Sequence, residues 1–254
     1  MKSGLISYRL SGSDYTVLEK PYMNYALILS GGTGTRFGGS VPKQYITVKV
    51  KPVVGYCIDT FQSVSQIDRI VIVASEKWFG VLSDYLAKNR ITKFSAFAVS
   101  GKSRQHSVLN GLEAIKKLGA ERDDLVVIHD AARPCVSEKI ILGCLDSLTD
   151  HDMSMPVTAV KETIYYSENG QAITGLLNRD RLYAGQAPEG CRFGSYYHVN
   201  RILSDEELSS VRGTCAVGFQ YGLSVKLFPG DETNFKITTQ GDLSRFRQIM
   251  GVDE

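Results

Sequence analysis

Apolar and polar positions along this chain fall into two rhythms: short unbroken apolar runs, and longer stretches with an apolar residue every three or four positions. The short runs predict buried strands at residues 26–29, 69–74, 94–99, 125–129 and 155–160. The longer stretches predict helices near 53–63, 79–89, 103–118 and 138–148. Strands alternating with helices make an α/β fold with a mostly parallel sheet flanked by helices. Between about 160 and 190 the rhythm changes. Segments 162–166 and 171–174 flank Ser167-Glu168-Asn169-Gly170, whose Asn-Gly pair signals a hairpin and hence a protruding β-arm inserted into the domain. A strand pair is expected at 216–221 and 224–228, followed by Pro229-Gly230, the segment 234–237 and a last helix from about Gln240.

Ligands of such sheets bind beyond the carboxyl ends of strands, and two notable segments sit there. The first is 26–45, ALILSGGTGTRFGGSVPKQY, in which an apolar strand breaks into a loop with five glycines, followed by Arg36 and Lys43 with no carboxylate close by in sequence. Gly31, Gly32 and Gly34 permit backbone turns that side chains forbid, so the N–H groups of this loop could face an anion. Fixed cations after such a loop read as a nucleoside triphosphate site. A dinucleotide fingerprint starting at Gly32 would need glycine where Phe37 stands, which removes the main support for a nicotinamide-dependent oxidoreductase. A Walker loop ending in Gly101-Lys102-Ser103 would need glycine at Ala96. The plain alternative is a glycine-rich turn without function.

The second segment is His129-Asp130-Ala131-Ala132-Arg133-Pro134. A carboxylate directly after an apolar run costs desolvation unless a cation or hydrogen-bond donors receive it. Asp130 could bind Mg²⁺ directly or through water, or pair with Arg133. Arg133 is expected to brace the loop, and His106, a lone histidine at a helix start, to be structural.

Composition narrows the class. The 254 residues carry a formal charge of +2, so any anion site must be local and no nucleic-acid partner is implied. Five cysteines, Cys57, Cys135, Cys144, Cys191 and Cys215, lack a C-x-x-C pair, and the four histidines do not cluster, which points to a reducing, cytoplasmic setting without structural zinc. No long apolar stretch predicts a membrane partner. Residues 1–23 read as an N-terminal extension and 24–254 as a single domain.

Five motifs then carry a resemblance: GGTGTRFGGSVPKQY at 31–45, GKSRQHSVLNGL at 101–112, HDAARP at 129–134, NRDRLYAGQAPEGCRF at 178–193 and NFKITTQGDL at 234–243. In this order and spacing they resemble the cytidylyltransferases that make CDP-linked polyols, a family that includes 2-C-methyl-D-erythritol 4-phosphate and ribitol-5-phosphate cytidylyltransferases. The resemblance implies a Rossmann-like nucleotidyltransferase sheet and a reaction in which a polyol phosphate attacks the α-phosphorus of CTP with Mg²⁺ present. It implies that Arg36, Lys43 and Lys236 stabilise the transferring phosphate, and that Ser30, Gly31, Gly32, Thr33, Gly34, Gly101 and Ser107 bind CTP. Asp130, Thr163 and Arg179 would hold the acceptor, with the magnesium held largely by phosphates. The arm would be exchanged across a homodimer.

Residues 31–36, Asn178-Arg179 with Leu182-Tyr183 and Gly185-Gln186, 203–207 and 236–239 look more like the ribitol-phosphate branch, whereas HDAARP looks more like the methylerythritol branch. Two departures stand out: Gln186-Ala187-Pro188-Glu189 replaces the usual QTPQ, and Arg212-Gly213-Thr214 stands where a Thr-Asp pair is usual. The reading from another class is a nucleotide sensor that binds CTP without turnover.

Overall fold

The computed structural model describes residues 22–32, 37, 41–211 and 213–252. Strand β1 (Asn24–Leu29) ends at the glycine loop, and the short ribbon of β2 (Thr47–Val48) and β3 (Lys51–Pro52) leads into α1 (Val53–Ser63). Then β4 (Arg69–Ala74), α2 (Phe79–Lys88), β5 (Phe94–Val99), α3 (Arg104–Lys117), β6 (Leu125–Asp130), α4 (Glu138–Asp146) and β7 (Met153–Ala159) alternate, each within two residues of its expected ends. The arm carries β8 (Tyr165–Tyr166) and β9 (Gly175–Leu176). The chain returns through β10 (Tyr183–Gly185) and β11 (Glu189–Arg192) to α5 (Phe193–Ile202), α6 (Asp205–Ser210), α7 (Thr214–Gln220), β12 (Val225–Pro229) and α8 (Gln240–Ile249).

The main sheet runs β10-β7-β11-β6-β1-β4-β5, with β12 also on β7. β1 lies parallel to β4 and β6, β4 to β5, and β12 to β7. β11 is wedged antiparallel between β6 and β7, and β10 lies antiparallel on β7. The sheet is therefore mixed and mostly parallel.

The unbroken apolar runs have a simple cause: both faces of the sheet are covered. Ala26, Ile28, Ile70, Ile72 and Val127 point into a core shared with α1 and α4, while Tyr25, Leu27, Val71, Val73, Val126 and Ile128 point into a second core with α3 and α5. Since side chains alternate along a strand, burial on both faces demands apolar residues at every position.

Two expected elements differ. Residues 216–221 are not a strand but lie mostly within helix α7, whose buried Thr214, Cys215, Val217 and Gly218 fall on one helical stripe. A Cβ at Gly218 would come within 2.0 Å of Met153 Sδ, so glycine lets this helix lie close on β7. In the arm, the second strand is Gly175–Leu176 and not 171–174. Asn169 Oδ1 accepts from the amides of Gln171 and Ala172, and this broader turn consumes residues expected in the strand. The Asn-Gly signal itself holds, with Gly170 at φ 73°.

Candidate active site

At the end of β1 the chain is pinned before it enters the glycine loop. The Ser30 amide donates to Val73 O at 2.7 Å, and its hydroxyl donates to Tyr45 Oη. Gln44 Nε2 donates to the carbonyls of Ser30 and Gly32 at 2.9 and 2.7 Å. Tyr45 stacks on Trp78 with ring centroids 4.0 Å apart, and burial pushes its phenol up to about 12. Gln44 and Tyr45 belong to a short 3₁₀ turn, Lys43–Tyr45, so these bonds also fix where Lys43 leaves the backbone. Gly31 is required by space: a Cβ there would lie 2.2 Å from Ser100 Cβ.

Gly101 faces a similar restriction, since its Cβ would meet His106 Cβ at 2.3 Å. Its amide donates to Ser107 Oγ, whose hydroxyl in turn donates to Ser103 O, so a tight loop precedes α3. Ser103 caps that helix by accepting from the His106 amide. The His106 ring lies between Ser103 Oγ and Asp205 Oδ1, at 2.8 and 2.9 Å, and ties α3 to α6. Its geometry is structural, as expected.

Asp130 ends β6. Its Oδ1 accepts from Arg104 Nε and Nη2, both at 3.3 Å, and its Oδ2 accepts from Lys236 Nζ at 2.8 Å. Burial alone would raise this carboxyl's pKa, but Arg104 and Lys236 outweigh it and hold the group well below the usual carboxylate range. Lys236 arrives from the far end of the chain because its segment is fastened on both sides. Arg133 Nη1 donates to Asn234 O at 2.6 Å, the Ile237 amide donates to Ala132 O, and Asn234 Nδ2 donates to Ala187 O. Arg133 thus braces the loop, and Asp130 forms ion pairs with Arg104 and Lys236.

Beneath this loop, His129 is fully buried. Its Nε2 donates to Arg133 O at 3.0 Å, and Nδ1 has no hydrogen-bond partner. Burial lowers its pKa to about 4, so the imidazole is neutral at pH 7.

Two cavities meet at Arg104, Asp130 and Lys236. The first, about 420 Å³, is lined by Gly31, Gly32, Lys43, Gln44, Gly101, Ser107 and Lys236, among others. The second, about 810 Å³, has a polar end at Arg133, Gln186 and Glu189 and apolar walls at Met155, Phe219, Val225 and Leu227.

The structure therefore brings Gly31, Gly32, Lys43, Gly101, Ser107, Asp130 and Lys236 together, with Ser30 directly behind them. Thr33, Gly34 and Arg36 lie outside the described residues, as do residues 1–21 of the expected extension and Arg212 of the departing motif. Thr163 and Arg179 sit on the exposed arm, where Arg179 Nη1 donates to Lys161 O, and line neither of the two cavities. Arg104 and the structural role of Glu189 were not read from the sequence; their partners are 26 and 85 residues apart along the chain, and no local pattern marks them.

Asp130 offers a metal a single carboxylate with both oxygens already engaged by cations. Among the described residues, no group of three or more His, Cys, Asp or Glu side chains could hold an ion. A resident magnesium site does not fit this donor set. All five cysteines are unpaired, and among the described residues no helix is long and apolar enough to cross a membrane.

Residues 25–252 match the profile of the IspD family, 2-C-methyl-D-erythritol 4-phosphate cytidylyltransferase. Ribitol-5-phosphate cytidylyltransferases of Streptococcus agalactiae serotypes V and Ia are each 27% identical over 233 residues, covering 91% of this chain and 97% of the relative. The fold superposes on 4-diphosphocytidyl-2C-methyl-D-erythritol synthase of Anaerococcus prevotii DSM 20548 with a TM-score of 0.78 at 23% identity, covering 91% of this chain and 96% of that one. It superposes on 2-C-methyl-D-erythritol 4-phosphate cytidylyltransferase of Francisella tularensis with a TM-score of 0.74 at 24% identity, covering 89% and 99%. At such identities the structural likeness carries the fold alone.

Proposed function

Since the chain belongs to the IspD family of cytidylyltransferases, we propose that it transfers CMP from CTP to a polyol phosphate, with ribitol 5-phosphate as the acceptor. The observation that carries this reading is the convergence of Lys43 and Lys236 on one cavity beside the glycine loop, with Asp130 between that cavity and the next. The triphosphate enters the first cavity as its magnesium complex. The acceptor sits in the second, where Asp130 receives its hydroxyls and the partner subunit's arm supplies Thr163 and Arg179 to its phosphate.

A phosphate oxygen of the acceptor attacks the α-phosphorus; the new P–O bond forms as the bond to the bridging oxygen breaks, and pyrophosphate leaves with the electron pair. No protein nucleophile is needed, because the attacking phosphate is already an anion at neutral pH. The protein's task is to hold the two anions in line and to stabilise charge on the transferring group. Lys43 and Lys236 offset that charge with positive charge from fixed positions, as does Arg36 by its place in the motif. Lys236 rests on Asp130 before substrate arrives, so its ammonium is already positioned and needs only to share itself with the incoming phosphate.

The acceptor assignment draws on the ribitol-5-phosphate relatives and on the motif details at 178–186 and 203–207. Methylerythritol phosphate is the second reading, favoured by the HDAARP segment and by the family description. Pyrophosphate release with CTP and Mg²⁺ distinguishes them when run with ribitol 5-phosphate, methylerythritol 4-phosphate and other polyol phosphates. The highest kcat/KM is expected with ribitol 5-phosphate. A higher value for another acceptor would replace it, and silence with all of them despite CTP binding would favour a nucleotide sensor.

A further inference from the structure

Glu189 is a buried carboxylate on β11, in the position where QAPE departs from QTPQ. Three donors converge on it. Its Oε1 accepts from Arg104 Nη2 and from the Thr214 amide, both at 3.3 Å, and its Oε2 accepts from the Cys215 amide at 2.6 Å. Helix α7 has no capping side chain of its own, because its N-cap is Gly213 at φ 119°. Glu189 thus serves as the cap from another element, and its negative charge suits a helix start.

Arg104 closes the circuit. Its Nη1 donates to Thr214 Oγ1 at 2.8 Å, while Nε and Nη2 reach Asp130 Oδ1. One guanidinium therefore joins α3, β6, β11 and α7. Those contacts bear on the second cavity, since α7 supplies Cys215, Ala216 and Phe219 to its wall, and Arg104, Asp130 and Glu189 also line it. We propose that Glu189 is a positioning residue that sets the acceptor cavity, holding Arg104 against Asp130 and anchoring the start of α7. The inference rests on the reading of the second cavity as the acceptor's.

Donor and acceptor counting makes Glu189→Gln the informative change. A carboxylate presents two accepting oxygens to the three donors, whereas an amide presents one oxygen and turns two N–H donors toward the remaining groups. Either Arg104 and Thr214 or Cys215 then faces a donor. Glu189→Asp keeps both oxygens and the charge on a side chain one methylene shorter.

The kinetic expectation for Glu189→Gln is an acceptor KM raised about tenfold with the CTP KM within about twofold of wild type, and an intermediate value for Glu189→Asp. Equal changes in both KM values, a fall in kcat alone, or failure of both variants to fold would overturn the proposal and leave Glu189 a purely structural cap. A crystal structure of Glu189→Gln needs no substrate and separates this inference from the proposed function. Arg104 or the first turn of α7 displaced from its place supports the proposal, and an unmoved network overturns it. If wild-type protein turned over no acceptor, the proposed function would fall while this structural comparison still decided the role of Glu189.

Discussion

In the proposed reaction the cations and the arginine of the arm have separable tasks that substitution can tell apart. Lys43 and Lys236 both line the first cavity, where the proposed transfer would build up charge, so Lys43→Ala and Lys236→Ala are each expected to lower kcat by roughly a hundredfold or more. Arg179→Ala removes an acceptor contact in the proposed dimer and is expected to raise the acceptor's KM about tenfold with kcat little changed. Steady-state kinetics with both substrates varied checks both; identical profiles for the lysine and arginine variants would refute the assignment. His129 makes a prediction about stability instead. Its folded-state pKa of about 4 lies below the ordinary 6.5, so between those values the unfolded chain binds more protons. Stability is full above pH 6.5 and falls as pH drops toward 4, by up to about 3 kcal/mol. Protonation would put a second N–H, without an acceptor, into the core beside Phe61. Urea unfolding at pH 7 and pH 4.5 should show this slope in the wild type and a shallower one in His129→Gln; equal slopes would place the acid sensitivity elsewhere.

Among the elements, the glycine loop lies close against the loop after β5, at the edge of the cavity proposed to take CTP. Gly31 touches Ser100 so closely that a methyl group would push the two apart. The clash is with a Cβ fixed to its backbone, not with the free end of a long side chain, so relief has to come from moving the loop. Gly31→Ala is therefore expected to weaken CTP binding about tenfold or more, with the melting temperature nearly unchanged because the residue borders a cavity. Calorimetric titration with CTP tests it, and wild-type affinity would show that the loop yields freely. The same logic accounts for α7. Its sequence, with alternating small and large residues, reads locally as a strand. The helix is favoured by Glu189, which caps it from another strand, and by Gly218, which lets it rest on Met153. The arm shows the converse, a turn that is legible but whose breadth depends on the Asn169 side chain.

For the molecule as a whole, the arm is the part that looks incomplete in a single chain. Tyr165, Tyr166, Ile173 and Leu176 are all more than half exposed, and a two-stranded ribbon has little stability by itself. With the arm packed on a second copy, replacing Tyr165, Tyr166 and Leu176 with serine should convert a dimer to monomers in sedimentation and raise the acceptor KM, while CTP still binds. A dimer that survives these changes would rule out the arm as its contact.

The sequence by itself determined the alternating strands and helices, the mostly parallel sheet, the glycine loop and the family, because apolar period and glycine placement act over a few residues and survive any reading of the rest. Only the tertiary structure decided that α7 is a helix, that β11 enters antiparallel beside β6, and that Asp130 is shared by Arg104 and Lys236. Those contacts join residues 26 and 106 positions apart, and a charged side chain shows nothing in its local sequence of which distant partner will compensate its burial.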